Sequence, residues 1–285
     1  MWHVEPVLWG LACAVMWGVG DVFGRSASMR VGSPTMSWAI QGMGVFPALA
    51  GFLLFDESWD ALATANYAAL AVATAVLFSV GYIVFYRGLA RGLVSIVSPV
   101  SAGYVVVAAL VSAVFFHETI GFDRWMLILV IMAGIALAST RGRSRATLSG
   151  VGHGVTAMIV MGIAISLWKP MVDASGPFLA VVSVRIISAV MLGGFLAAMR
   201  AQWSPFRNGA GVFVIAAALL DSVGFIVFNF SIERNPVSLI IPIAAAYPVV
   251  TVALAWVLVR ERLARTQVVG VAVVMGGIVA FSAAA

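Results

Sequence analysis

Charge is what this sequence has least of. Asp, Glu, Lys and Arg make up 9% of 285 residues, against 63% hydrophobic ones, and the mean hydropathy is +1.10. A water-soluble domain carries roughly a quarter charged residues, because its surface must be solvated. So few charges cannot cover a water-facing globule, which excludes an ordinary soluble protein. Cysteine is nearly absent as well: Cys13 stands alone, so no disulfide can form within the chain. His3, His117 and His153 are scattered without ligand spacing and suggest no metal site. There is no GxxxxGK[ST] loop, so direct coupling to ATP is not expected, and no cofactor is implied. The pI is near 10.0, yet the arginines sit singly in short loops, with no basic face or aromatic platform for a polyanion. Nucleic acid is therefore not an expected partner; orientation in a bilayer is the better use of that charge.

What the chain does have is apolar runs. Runs of about 18–25 residues can cross a bilayer as helices, and ten occur, at about 7–24, 34–54, 67–86, 93–115, 125–140, 151–168, 178–198, 210–230, 237–258 and 267–283. The predicted fold class is thus an all-α polytopic membrane protein with ten transmembrane helices. The first run is preceded by His3 and Glu5 rather than by basic residues. It is followed by Asp21 and Arg25 rather than by a small-residue cleavage pattern, so it reads as a span and not as a removed signal peptide.

The chain also repeats itself. SVGYIVFYRGLARGLVSIVSP, residues 79–99, aligns without a gap on SVGFIVFNFSIERNPVSLIIP, residues 222–242, at an offset of 143. Ser79, Gly81, Arg91, Ser95 and Pro99 recur as Ser222, Gly224, Arg234, Ser238 and Pro242, and the register runs on through Tyr104/Tyr247, Glu118/Glu261 and Gly134/Gly277. Earlier in each half an offset of 144 matches Gly10, Gly18 and Arg25 to Gly154, Gly162 and Lys169. Residues 1–145 and 146–285 are accordingly expected to be two repeats of five spans. Five is odd, so the second half enters the membrane from the opposite side. Two inverted five-helix repeats around a central cavity are the build of secondary transporters with a midplane site. Loops 1, 3, 5, 7 and 9 carry most of the arginines, whereas loops 2, 4, 6 and 8 carry Arg124, Lys169 and Arg234. The odd loops are therefore expected in the cytoplasm, with both termini outside.

Charged groups in a membrane need a reason, because each costs at least a few kcal/mol at the bilayer centre. Asp21 and Arg25 are four apart on one helix and can pair locally; Lys169 lies at a span end, where it can snorkel. Asp221 lies about 16 Å into the eighth span and Arg185 about 10 Å into the seventh from the other side, at similar depth. They form either a structural ion pair or a substrate and proton-coupling site. Pro99 and Pro242 occupy equivalent positions early in spans four and nine, where each should break or kink its helix. Paired interruptions of this kind point to a transporter site, which the hydroxyls of Ser95, Ser98, Ser101 and Ser238 could line. Trp17, Tyr82, Tyr86, Tyr104, Trp168 and Tyr247 lie on the spans that would form the inner bundle, and buried phenols want polar partners. Asn229 aligns with Tyr86. Ala272, Gly276 and Ala280 on the tenth span permit close helix contact, inside the fold or in a weak homodimer.

These features resemble the EamA family of the drug/metabolite transporter superfamily: five plus five spans, Trp17–Gly18 in the first, Ser98–Pro99 leading the fourth, and the turns HETIGFDRW and RERLARTQ before a glycine-rich fifth or tenth span. The resemblance covers essentially the whole chain. It implies a basket of spans 1–4 and 6–9 around a central cavity, with spans 5 and 10 peripheral, in a bacterial-type inner membrane. It also implies export or exchange of small metabolites, without catalysis. The family commonly shows an arginine on span two; here Gln41 stands there and its repeat mate is Arg185. Among relatives, the aromatic and neutral amino-acid exporters best fit a pocket with tyrosine, tryptophan and few charges. The expected substrate-binding residues are Trp17, Tyr82, Ser98, Tyr104, Trp168, Arg185, Asp221, Asn229 and Tyr247, with Pro99 and Pro242 as hinges. Two rivals remain: a passive channel, and an intramembrane aspartyl protease suggested by Gly18–Val19–Gly20–Asp21 and Pro47–Ala48–Leu49. The protease needs a second aspartate ahead of that motif, and Glu5 is the only acidic residue there.

Overall fold

A computed structural model describes residues 4–55, 57–115, 121–140, 145–200, 204, 206–234 and 244–283, and each apolar run holds helix among the residues described. Span 1 is Val4–Val31, span 2 Ser33–Leu54, span 3 Ala65–Arg91, span 5 Phe122–Thr140, span 7 Pro177–Ala198, span 8 Gly211–Arg234 and span 10 Arg265–Ala283. Span 4 is two helices, Val94–Ala102 and Tyr104–Phe115; span 6 runs over Arg145–Ser166 and continues as Trp168–Ser175; span 9 is described from Tyr247 through Leu254, with wider turns over Ala255–Val259. Among the described residues there is no strand. By length and composition, six stretches among the described residues suffice to cross a membrane: Ser33–Leu54, Ala65–Arg91, Val94–Phe115, Leu148–Ser175, Pro177–Ala198 and Gly211–Ser231, with shorter apolar helices at Tyr247–Val259 and Arg265–Phe281. The fold is an all-α polytopic membrane protein.

The breaks follow from local chemistry. Pro99 has no N–H to give to Ser95, and span 4 is interrupted four residues later at Gly103, whose N–H turns to Val100 O at 3.1 Å. Its repeat mate Pro242 and Ser238 lie outside the described residues. Gly32 and Gly176 join span 1 to 2 and span 6 to 7 at φ +85° and +84° with extended ψ, a region open to glycine alone. Each leads into a proline in the first turn of the next helix, Pro34 and Pro177, where a missing N–H costs nothing.

The repeat governs the packing. Span 1 packs on span 8 as span 3 packs on span 6; span 2 meets span 7, and span 5 meets span 10. Repeat mates thus make mate contacts, as a pseudo-two-fold axis requires. A Cβ built on Gly18 would lie 2.8 Å from Tyr247 O, and one on Gly162 would lie 2.8 Å from Tyr104 O. The same holds at the periphery, where a Cβ on Gly134 would lie 2.9 Å from Val274 and one on Gly277 2.7 Å from Ile131. That face of span 10 is its internal one. Ala272, Gly276 and Ala280 are exposed on another face, so packing within the chain does not account for that stripe.

Two acidic clasps cross the halves. Arg260 adopts a left-handed conformation (φ +56°) that ends span 9 and lets Glu261 turn back. Its carboxylate accepts the Val94 and Ser95 N–H groups, each at 3.0 Å, and the Ser95 hydroxyl, satisfying the orphan donors that open span 4. Ser95 is therefore a capping partner of Glu261 rather than a lining residue of the site. Glu57 serves span 7 in the same way, accepting the N–H groups of Phe178 at 3.2 Å and Leu179 at 2.7 Å.

Candidate substrate cavity

A cavity lies where spans 1, 3, 4, 6, 8 and 9 converge, and it sits on the pseudo-axis. Ten of its fifteen described lining residues are repeat mates of one another: Trp17/Met161, Asp21/Ile165, Phe78/Asp221, Tyr82/Phe225 and Tyr104/Tyr247. Only the last pair is identical. In the other four, one mate is polar or carries an N–H and the other is apolar, so duplication set the shape and divergence set the chemistry. Span 6 contributes an apolar wall, Met161 and Ile165; span 1, its mate, contributes Trp17 and Asp21. The space open to water-sized solutes is about 90 Å³. That is room for on the order of six waters, or roughly 180 Å³ of liquid.

Two carboxylates line this space and are held differently. Asp221 is fully engaged: Oδ2 takes Arg185 Nη2 at 2.7 Å and Oδ1 takes the Tyr82 hydroxyl at 3.0 Å. The Arg185 guanidinium also donates to Ile40 O at 3.1 Å and lies 5.4 Å from the Phe225 ring centre. A Cβ on Gly44 would overlap it, with Nε 2.8 Å away, so this glycine makes the room. The pairing of Arg185 with Asp221 read from their depths is present. The pairing of Asp21 with Arg25 is not. Arg25 Nε donates to Leu89 O at 3.1 Å, while Asp21 Oδ2 accepts Ser98 at 2.5 Å and Thr251 at 3.0 Å. Two hydroxyls from spans 4 and 9 satisfy the carboxylate better than an arginine that must stay near the span end.

The other expected site residues divide clearly. Trp17, Tyr82, Tyr104 and Tyr247 line the main cavity beside Asp221. Trp17 stands edge-on to Tyr247, with ring centres 6.1 Å apart, and among the described residues its indole Nε1 has no hydrogen-bond partner. Trp168 and Arg185 line a smaller adjoining hollow that shares Phe78, Tyr82 and Phe225 with the main one and includes Gln41. Gln41 and Arg185, as repeat mates, meet there near the axis. Ser98 stands behind the wall as the donor to Asp21, and Ser101 is the hydroxyl of span 4 that does reach the cavity. Asn229 lines neither hollow: it is buried, and both its amide atoms lack partners among the described residues. Sequence reasoning set Asp21 aside in favour of Asp221 and passed over Thr251; the signal for Asp21 was its depth in a span, and Thr251 gave none.

The aspartyl-protease geometry is not met. Asp221 is committed to Arg185 and Tyr82, and no hydrogen bond joins it to Asp21 among the described residues; a proton-sharing dyad needs one.

Duplicated helical halves that wall a shared hollow, with spans long and apolar enough to cross a bilayer, define a polytopic membrane protein of the transporter class. The family model described as "EamA-like transporter family" matches residues 5–140 and again 148–283, two stretches set apart by the same 143 residues as the repeat. The chain belongs to that family, and with it to the drug/metabolite transporter superfamily: it is a multi-pass integral protein of the plasma membrane and a transporter, not an enzyme. It is 28% identical over 134 residues to "Uncharacterized transporter YdeK" of Bacillus subtilis, a match spanning 47% of this chain and 46% of that one. It is 27% identical over 134 residues to "Uncharacterized protein MJ1333.1" of Methanocaldococcus jannaschii, covering 47% of this chain and 95% of the relative, which is thus about one repeat long. A solved crystal structure superposes with a TM-score of 0.69 at 14% identity, over 98% of this chain and 96% of that one; this shows the fold.

Proposed function

We propose that this transporter is a secondary carrier that exports or exchanges small polar metabolites, amino acids foremost, by alternating access. The observation that carries the reading is the position of the cavity on the pseudo-axis, with mates from both repeats in its walls. A hollow so placed is related by the repeat to either side of the membrane. Its volume bounds the solute: roughly 180 Å³ of liquid suits a small or medium amino acid, and aromatic ones require the walls on spans 4 and 9 to part. The gap at Gly103 gives span 4 a place to bend. Purified protein in liposomes preloaded with unlabelled leucine should show saturable counterflow of labelled leucine. A linear, non-saturating flux without counterflow would instead identify a passive channel.

A further inference from the structure

The two carboxylates of the cavity are not equivalent, and the difference selects a ligand. Asp221 has both oxygens occupied, by Arg185 and Tyr82. Asp21, more than nine-tenths buried, has both its hydrogen bonds on Oδ2, from Ser98 and Thr251. Among the described residues its Oδ1 has no partner, and Asp21 lines the cavity. The pseudo-axis sets Asp21 and Trp17 on one wall against their mates Ile165 and Met161 on the other. Among the described lining residues of both hollows the one cation is Arg185, already taken. The other titratable groups in the main cavity are the phenols of Tyr82, Tyr86, Tyr104 and Tyr247.

Taken with the carrier reading above, on which it rests, we propose that Asp21 Oδ1 is the seat of a protonated amine, and that the transported solutes are small amphipathic primary amines held between this carboxylate and the Met161–Ile165 wall. An ammonium offers Oδ1 a charge-assisted hydrogen bond. The faces of the aromatic rings nearby attract the same charge, and Trp17 stands beside Asp21 one helical turn away. The hydroxyls of Ser98 and Thr251 fix the carboxylate in place, so little reorganisation is needed when the amine arrives. The solute's hydrocarbon part then meets Met161 and Ile165, which offer no hydrogen bond to it. A solute carboxylate finds no uncommitted cation in these walls. The amine is therefore the required group and the carboxylate is dispensable, which sets this site apart from one that recognises the whole zwitterion.

Four ligands that share one isopentyl chain test this by calorimetric titration of the purified, detergent-solubilised chain: leucine, isopentylamine, N-acetyl-leucine and 4-methylpentanoate. Leucine and isopentylamine should bind, and the two that lack a charged amine should bind about 10- to 100-fold more weakly, the worth of one charge-assisted hydrogen bond. Asp21→Asn should weaken isopentylamine binding by a similar factor and Asp21→Glu by less, with the size-exclusion profile reporting whether each variant is folded. Equal binding of leucine and N-acetyl-leucine, binding of leucine but not isopentylamine, or no binding of either by the unmodified chain would each overturn the proposal. Leucine counterflow in liposomes separates the two readings: counterflow with any of those results sinks only the amine site, whereas absence of counterflow with every amine and amino acid tried removes the carrier reading itself.

Discussion

The Arg185–Asp221 pair offers the sharpest energetic test of the site. The two side chains are 5% and 13% exposed and meet at 2.7 Å. Arg185→Met keeps an unbranched apolar stem and removes the guanidinium with its charge. Asp221 is then left with the Tyr82 hydroxyl alone, and Ile40 O loses its guanidinium donor. Breaking one side of a buried pair costs about 3–5 kcal/mol, because the remaining charge is stranded. Asp221→Leu strands Arg185 in the same way. Replacing both members with apolar residues strands nothing, and such replacements are often neutral or stabilising. The prediction is non-additive: each single variant loses about 3–5 kcal/mol, and Arg185→Met/Asp221→Leu loses less than either. Reversible unfolding by SDS titration in mixed micelles, followed by circular dichroism, measures all four proteins. Single variants within about 1 kcal/mol of the unmodified chain, or a double variant that equals their sum, would mean that cavity water screens the pair as it does at a surface, and the buried-pair account would be wrong.

Gly162→Ala places a methyl group 2.8 Å from Tyr104 O and should cost about 1–3 kcal/mol by overpacking. Gly276→Ala, which meets nothing within 4 Å, should be silent; monodispersity after graded heating compares the two. Because Cys13 is fully buried, new cysteines can be read with little background. A cysteine in place of Ser58 should react with membrane-impermeant maleimide in intact cells, and one in place of Ala90 only after permeabilisation; the reverse pattern would invert the assigned topology.

The fold was legible because a bilayer leaves a chain few choices. Backbone groups in hydrocarbon must bond within the segment, so an apolar run of sufficient length is a helix, and Pro and Gly in register in both halves expose the duplication. The same register paired Tyr104 with Tyr247, and both line the cavity. What spacing could not reveal was the direction of a side chain with two options. Asp21 has Arg25 one turn away, an ordinary local partner, and nothing in the order of residues says that Ser98 and Thr251 intercept it from other spans. Glu261 stood out as a repeated residue, yet its partners lie 166 and 167 positions away, beyond any local pattern. Asn229 misled because its mate Tyr86 does reach the cavity; a shorter side chain at the same position does not.

The exchange of packing partners between repeats has a consequence for biosynthesis. Thr251, which helps hold Asp21, follows it by 230 residues, a delay of roughly 10–50 s at ordinary translation rates. For the first part of that interval the nascent first repeat is inserted without the second to receive its helices, and Asp21 has Ser98 of its own repeat as its hydrogen-bond donor but not yet Thr251. Whatever inserts this chain must hold that intermediate until span 9 arrives, and a chain truncated before span 9 lacks the Thr251 hydroxyl that completes the hold on Asp21.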